Sequence, residues 1–280
     1  LKAGEVYQRN PFNPRQVHRI PLSKNAVDAF VFWTKNPEPF ISYLDALEGY
    51  PYYFHFTLTP YGRDVEPAFT DKKRLLETFK ALSAKIGPFR VIWRYDPVLI
   101  SESYSEAWHI KRFKAFANAL NGYTDKVIVS FVDFYKKADS ALKALGAYDP
   151  SLEAKKRLIK GLKTIADEQG MVIELCSEPF DMKEEGIHPS RCVDTALIKA
   201  IGGPDLDLKK DPNQRAACGC AISKDIGAYD TCTLGCKYCY AVRSQGHAKA
   251  RVHAHDPDSP LLNDSLEGDE TLYEVNLKKY

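Results

Sequence analysis

Short apolar runs alternate with longer amphipathic stretches between Ala26 and Ile201. The runs are rich in Val, Ile, Phe and Tyr, a composition typical of strands covered on both faces of a parallel sheet. The strands predicted on this basis are Ala29–Trp33, Tyr53–Leu58, Arg90–Arg94, Val127–Phe131 and Val172–Leu175. Apolar residues that recur at helical spacing predict helices over Asp71–Ile86, Ser105–Leu120 and Leu152–Gln169.

This alternation, at intervals of roughly 25 to 45 residues, predicts an α/β fold with parallel strands and helical crossovers. The chain has no dinucleotide-binding glycine signature, which favours a partial or complete β/α barrel of the TIM type over a doubly wound sheet. The segment Val6–Ile20 is predicted to form a hairpin or an arm. We also expect a further strand to precede Leu1.

The regular pattern ends near Gly202-Gly203-Pro204, and Gly, Asp, Asn, Pro and Cys dominate the remainder of the chain. We therefore expect a β/α barrel over residues 1–203 and an irregular, cysteine-rich segment over residues 204–280. A segment of this composition needs something to organise it. A metal centre held by the cysteines would serve, since the free energy of metal binding can stabilise a fold.

Composition and net charge argue against several classes of protein. The 280-residue chain has 44% hydrophobic residues and a formal net charge of +2, which is too small to indicate binding to nucleic acid or to an anionic membrane. No apolar run approaches the roughly 20 residues that span a bilayer, and no signal peptide is evident. The seven cysteines are clustered and odd in number, unlike a secreted disulfide framework, so we expect a cytoplasmic protein that uses cysteines to bind metal.

Polar residues follow the predicted strands at the point where each strand ends. In β/α barrels the chemistry collects at the carboxyl ends of the strands, so these side chains are predicted to line a polar pocket. The candidates for catalytic residues in this pocket are Lys35, Arg94, Asp96, Asp133 and Glu178. The alternative is structural: Thr34 and Asp96 would cap helices, and Arg94 would form a buried ion pair with Glu174.

The most specific motif is Cys232-Thr-Leu-Gly-Cys236-Lys-Tyr238-Cys239. Three thiolates spaced in this way can bind three irons of a [4Fe–4S] cluster and leave the fourth iron open to a substrate or cofactor. Zinc is the alternative metal, because His247, His253 and His255 follow the motif. If the cysteines instead formed disulfides, their odd number would leave at least one thiol unpaired.

The Cys-x3-Cys-x2-Cys loop resembles that of the radical S-adenosylmethionine superfamily, and with Tyr240-Ala241 after it most resembles the spore photoproduct lyase branch. The resemblance implies a [4Fe–4S] cluster on Cys232, Cys236 and Cys239, S-adenosylmethionine on the open iron, and Tyr238 near the adenine. It also implies reductive cleavage of the cofactor to a radical that abstracts hydrogen from a substrate. That superfamily carries the loop after its first strand, whereas here the loop lies near the carboxyl end, so the chain has either a permuted order or a carboxyl-terminal clamp.

A second group of cysteines completes the inventory: Cys176, Cys192, Cys218 and Cys220. Four thiolates can form a closed site for a second [4Fe–4S] cluster or for zinc. The alternative is that Cys176 and Cys192 are small buried hydrophobic residues.

Nearly the whole chain resembles the family named domain of unknown function 1848. The matching stretches are Arg9–Pro14, Phe32–Pro37, Phe56–Gly62, Trp93–Pro97, Ser130–Asp133 and Cys218–Tyr240. We therefore expect an iron–sulfur enzyme of the radical S-adenosylmethionine type, with an electron donor and an unidentified substrate as partners. The alternatives are a non-radical [4Fe–4S] protein that transfers electrons or senses redox state, and a zinc-stabilised binding module.

Overall fold

A six-stranded parallel sheet forms the centre of the protein in a computed structural model, which describes residues 1–69, 71–262 and 264–275. In chain order the strands are β1 (Glu5–Arg9), β2 (Gln16–Pro21), β3 (Phe30–Thr34), β4 (Tyr52–Thr57), β5 (Val91–Val98), β6 (Lys126–Phe131), β7 (Val172–Leu175), β8 (His188–Pro189) and β9 (Thr271–Glu274). The helices of the described residues are α1 (Glu38–Ile41), α2 (Lys72–Ile86), α3 (Glu106–Leu120), α4 (Asp139–Ala144), α5 (Leu152–Glu168), α6 (Thr195–Ala200) and α7 (Gln245–His253).

The central sheet runs β3-β4-β5-β6-β7-β8, so the strands follow one another in space as they do in sequence, and all pairs are parallel. The α/β class and the five predicted strands are confirmed. Strand β8 was not predicted, because a two-residue strand that contains a proline carries no periodic signal.

The long helices form where the sequence predicts them, because capping residues define their ends. The side chains of Asp71, Ser105 and Ser151 accept hydrogen bonds from backbone N–H groups at the starts of α2, α3 and α5. Helix α2 ends at Gly87, whose φ of +96° is readily adopted only by glycine.

One face of the central sheet packs against these helices. Because the strand order never reverses, right-handed crossovers place all their helices on the same face. The core on this side includes Phe54 of β4, Trp93 of β5 and Val129 of β6, together with buried residues of α2, α3 and α5. Trp93 also donates from Nε1 to the carbonyl oxygen of Leu58 at 2.8 Å.

The opposite face is covered by chain that arrives after β8. Tyr53, Ile92 and Ile128 pack there against α6 and against a buried group that contains Cys192 and Cys218. The two edge strands, β3 and β8, do not pair with each other, so within the described residues the sheet is open and the closed form of the expected barrel is not found. The chain that follows β8 packs against the sheet face that would line a barrel. That face is therefore covered without closure of the sheet.

The predicted hairpin over Val6–Ile20 is confirmed as the antiparallel pair β1 and β2. Strand β9 pairs with β2 in parallel, so chain from the end of the molecule completes a second, three-stranded sheet. The guanidinium of Arg9, in β1, forms ion pairs with Asp264 at 2.6 Å and with Glu270 at 2.8 Å. These pairs connect the residues that precede β9 to the same sheet. The division at residues 203 and 204 stays a prediction, and residues 276–280 of the predicted second part lie outside the described residues.

Candidate metal centre and strand-end site

The cysteine loop Cys232–Cys239 lies beside the connection between β4 and α2. The backbone N–H of Lys237 donates to the carbonyl oxygen of Val65 at 3.0 Å, and Leu234 packs against the main core. Gly235 has a φ of +73°, so the turn between Cys232 and Cys236 depends on a residue that tolerates the left-handed region. The loop is therefore held at the carboxyl end of the sheet by backbone, turn and packing contacts.

A buried carboxylate, Glu66, connects the loop to the strand ends. Its side chain is 1% exposed and lies 2.7 Å from Lys35 Nζ and 2.6 Å from Lys72 Nζ. The hydroxyls of Thr59 and Tyr238 also donate to it. Burial alone would raise the pKa of Glu66, but the two ammonium groups outweigh burial and the pKa is lowered. Glu66 is thus an anion held between two cations.

Lys35 was predicted as a pocket residue, and it lies where the loop meets the sheet. Its Nζ is 5.5 Å from the centre of the Tyr238 ring, a cation–π arrangement. Burial and the neighbouring Glu66 raise the pKa of Tyr238, so this phenol stays protonated near neutral pH. The aromatic residue of the cysteine motif is therefore fixed from two sides, by a hydrogen bond and by a charge over its ring.

The three thiols of the loop differ in exposure: Cys232 is exposed, while Cys236 and Cys239 are half-buried. Burial raises the pKa of Cys232, and it raises the pKa of Cys236 to about 11, with the charge of Lys35 opposing the shift in both cases. A raised pKa makes the thiolate scarce at neutral pH and argues against a nucleophilic role. In the part of the chain that the structure describes, no hydrogen bond joins the three thiols to one another.

Arg94 and Asp96 form a second network on the face of the sheet opposite the long helices. Arg94 Nε donates to Asp96 Oδ2 at 2.8 Å, and the Ser130 hydroxyl donates to the other carboxylate oxygen. The alternative ion pair between Arg94 and Glu174 is not found, since Glu174 pairs with Lys126 at 2.7 Å. The alternative capping role of Asp96 is not found either, because the residue lies within β5.

Burial alone would raise the pKa of Asp96, but the Arg94 charge and the Ser130 hydrogen bond outweigh burial. The pKa is therefore lowered, and the carboxylate stays ionised. The charge of Lys35 also contributes to this lowering, which means that the two networks are close enough to interact electrostatically.

The remaining predicted pocket residues, Asp133 and Glu178, follow β6 and β7. Arg215 Nη1 donates to Asp133 at 2.6 Å, which ties the carboxyl-terminal segment to the end of β6. Glu178 accepts from the backbone N–H of Phe131 at 2.7 Å, and burial raises its pKa. Glu178 therefore has a structural partner, and its raised pKa makes it easier to protonate than an ordinary glutamate.

The second group of cysteines meets at the end of β7. The sulfurs of Cys176 and Cys192 are 3.8 Å apart, and Arg94 Nη1 donates to Cys192 Sγ at 2.9 Å. The backbone N–H of Cys192 donates to Cys220 Sγ at 3.2 Å. The pKa of Cys220 is lowered chiefly by hydrogen bonding with the Cys192 thiol, while a hydrogen bond with the Cys218 thiol opposes the shift.

Neither group of cysteines forms a finished metal site. Across residues 1–69, 71–262 and 264–275, no set of three or more His, Cys, Asp or Glu side chains is arranged to hold a metal ion. Two of the histidines considered as zinc ligands, His247 and His253, lie on α7, and His255 follows it. The donor types suit iron–sulfur or zinc chemistry, while convergence of the side chains on one centre stays a prediction.

A cleft of about 660 Å³ opens at the other end of the sheet and does not contain the predicted residues. It is lined by Tyr52 and Arg90, which lie at the amino ends of β4 and β5. Chemistry in parallel α/β proteins is carried by the carboxyl ends of the strands. The buried charges and the thiols at that end are therefore the better candidate site.

Sequence reasoning missed Glu66, Lys72, Thr59 and Ser130. Thr59 and Ser130 lie near the carboxyl ends of β4 and β6, but neither was predicted as a pocket residue. Glu66 lies in an irregular connection and Lys72 begins a helix, so neither position has a periodic signal.

The family described as "Domain of unknown function (DUF1848)" matches residues 1–241, which include both groups of cysteines. No curated protein and no solved structure matches the chain. Among the described helices, none combines the length and apolar character needed to cross a membrane.

Proposed function

This chain belongs to that family, Domain of unknown function (DUF1848), and we propose that it is an iron–sulfur enzyme of the radical S-adenosylmethionine type. Cys232, Cys236 and Cys239 would hold a [4Fe–4S] cluster at the carboxyl end of the parallel sheet. An open iron of that cluster would bind S-adenosylmethionine, and the strand-end residues would hold the substrate.

The observation that carries this proposal is where the cysteine loop docks. In the superfamily that the motif resembles, the loop follows the first strand. Here the loop lies beside β3, an edge strand of the parallel sheet, because Lys35, the residue after β3, lies over the ring of Tyr238 in the loop. Chain from a distant part of the sequence thus lies at the carboxyl end of this edge strand. The uniform strand order, with helices on one face, suits a partial barrel with a permuted loop.

The residues present fit a cluster by their chemistry. The three thiols come from one short loop, and Cys239 is close enough to Cys232 and Cys236 to affect them electrostatically, as suits ligands of one cluster. The charge of Lys35 opposes the rise that burial causes in the pKa of Cys232 and Cys236. When bound and reduced, a cluster of this kind supplies one electron to a cofactor on its open iron.

The protein's own groups have separate tasks in this proposal. Glu66 fixes both the Tyr238 hydroxyl and the Lys35 ammonium, so the ring beside the cysteines keeps one orientation. The Arg94–Asp96 pair presents a fixed charge pattern within β5, where a polar substrate would be oriented. Burial raises the pKa of Glu178, which makes this carboxyl easier to protonate than an ordinary glutamate. We place the protein in the cytoplasm, since a reducing compartment keeps clustered thiols available for metal.

Anaerobic reconstitution with iron and sulfide, followed by S-adenosylmethionine and dithionite, tests the proposal. We expect an iron–sulfur cluster bound to the wild-type protein and formation of 5′-deoxyadenosine. Cys236→Ala should abolish both, whereas Lys237→Ala, which removes only an exposed side chain of the same loop, should retain both. A wild-type protein with an intact cluster and no 5′-deoxyadenosine would exclude the radical chemistry.

One observation favours a second candidate, a [4Fe–4S] protein that transfers electrons or senses redox state. Cys232 is exposed, and a cluster near the surface is accessible to an electron-transfer partner. This candidate predicts a reversible reduction potential and an unchanged cofactor after the same incubation. A loop that binds zinc and no iron would instead indicate a zinc-stabilised binding module.

A further inference from the structure

Four cysteines from three separate parts of the chain meet on the face of the sheet that the long helices leave free. Cys176 directly follows β7, Cys192 follows β8, and Cys218 and Cys220 belong to the later irregular segment. Cys192, Cys218 and Cys220 are each no more than 8% exposed, and Cys176 packs against the same cluster. Chain segments so far apart in sequence bring their thiols together only because of the tertiary fold.

The thiols form a continuous chain of neighbours. The sulfurs of Cys176 and Cys192 are 3.8 Å apart, and the backbone N–H of Cys192 donates to Cys220 Sγ. The thiols of Cys220 and Cys218 are joined by a hydrogen bond. All seven cysteines are free, so no disulfide accounts for the grouping.

We propose that Cys176, Cys192, Cys218 and Cys220 bind a single zinc ion in a closed tetrahedral site that fastens the carboxyl-terminal segment to the sheet. This site is distinct from the loop Cys232–Cys239 and does not depend on the proposed radical chemistry. The four thiols do not surround one point in the structure, so the proposal requires their side chains to move to other staggered rotamers when the ion binds.

The spacing of the sulfurs favours zinc over a second cluster. In a tetrahedral site with Zn–S bonds of about 2.3 Å, any two sulfur ligands are about 3.8 Å apart. The distance between the Cys176 and Cys192 sulfurs is 3.8 Å. In a four-iron cluster each thiolate binds a different iron, so the cysteine sulfurs lie farther apart than two ligands of one ion. This pair could therefore stay in place as two ligands of one ion, whereas a cube would require the two sulfurs to move apart.

The surroundings supply what thiolate ligands need. Four thiolates on one Zn²⁺ leave the site with a net negative charge, and the guanidinium of Arg94, 2.9 Å from Cys192 Sγ, offsets part of it. The backbone N–H of Cys192 already donates to Cys220 Sγ, a common supporting contact for a metal-bound thiolate. The donors face the sulfurs from the sheet and from the loop after β8.

Zinc at this place would have a structural task. Backbone contacts already join the segment to the chain after β8, where the N–H of Ala221 donates to the carbonyl oxygen of Val193 at 3.1 Å. A shared ion would fix Cys218 and Cys220 to β7 and to the loop after β8, with eleven residues between Cys220 and the start of the Cys232 loop. The ion would thereby hold the chain that carries the cysteine loop back towards β3.

Metal analysis of the full chain, purified anaerobically, tests this site. We expect about one zinc per chain in the wild type, and at least a five-fold lower zinc content in Cys220→Ser and in Cys218→Ser. Cys232→Ser, the matched control from the other group, should keep its zinc and lose iron. Zinc that persists in Cys220→Ser, or disappears in Cys232→Ser, would overturn the assignment.

A measurement on the wild type avoids variants that fail to fold. X-ray absorption at the zinc edge should show four sulfur neighbours at about 2.3 Å and no nitrogen or oxygen neighbour. A mixed shell, or a wild-type protein without zinc, would reject the proposal. Iron and 5′-deoxyadenosine are measured separately, so failure of the zinc site and failure of the radical chemistry remain distinguishable.

Discussion

Replacing Glu66 by glutamine tests the charge network that holds the cysteine loop to the sheet. The substitution keeps the shape of the side chain but removes its charge, which leaves the ammonium groups of Lys35 and Lys72 without their anion. Those lysine side chains are only 13% and 17% exposed, so water screens little of the loss. Removing one partner of a buried ion pair costs about 3 to 5 kcal/mol, and we expect Glu66→Gln to cost about that much.

The assay is urea unfolding at pH 7, with Glu38→Gln as the matched control. Glu38 and Arg74 form an ion pair whose side chains are 41% and 68% exposed, and exposed pairs contribute only about 0 to 1 kcal/mol. A Glu66→Gln variant that loses no more stability than Glu38→Gln would refute the claim that the Glu66 network stabilises the fold.

Acid gives a second readout for the same residue. The pKa of Glu66 is lower in the folded protein than its ordinary value of 4.5, so its contribution is fully present above that pH and is lost as the pH falls through the folded pKa. The stability difference between the wild type and Glu66→Gln should therefore shrink below about pH 4.5. A difference that stays constant down to pH 3 would contradict the lowered pKa.

Three further variants probe the loop and the sheet. Tyr238→Phe keeps the ring but removes the hydrogen bond to Glu66, and should cost about 1.5 to 3 kcal/mol in urea unfolding; no loss would show that the hydroxyl is dispensable. Gly235→Ala places a side chain at a φ of +73°, should cost about 1 to 2 kcal/mol, and should lower iron retention, whereas unchanged iron would mean that the turn tolerates a Cβ. Burial lowers the pKa of His55 to about 3, so as the pH falls the unfolded chain takes up a proton before the folded protein does. The free energy of unfolding should therefore fall as the pH drops from 6.5 to 5, and His55→Phe should show a smaller fall. An equal fall in the variant would contradict a neutral buried imidazole.

The fold was accessible from the sequence wherever a period or a cap marked an element. Helix α2 combines an apolar stripe with Asp71 at its start and Gly87 at its end, so both its position and its length were predictable. Nothing comparable marks β8, and nothing in the sequence says whether a parallel sheet closes. Closure depends on what covers the second face, and here that is chain from beyond β8.

The strand register explains why Arg94 pairs with Asp96 and not with Glu174. The register aligns Arg94 with Ile128 and Ile128 with Glu174, so Arg94 and Glu174 are separated by two strand spacings of roughly 4.8 Å each. Asp96 lies two residues along the same strand and on the same face, well within reach of the guanidinium. A period of two along β5 therefore predicts the observed partner better than proximity of strand ends does.

The candidate site illustrates what a motif alone can and cannot provide. The spacing of Cys232, Cys236 and Cys239 indicated metal chemistry, yet it gave no reason for the loop to lie near any strand. The structure supplies that reason through Glu66, a residue without a motif, which binds Tyr238 of the loop and Lys35 at the end of β3. Since one carboxylate contacts both, a change at Glu66 should disturb cluster binding and the strand-end pocket together, whereas a change at Cys236 should affect only the cluster.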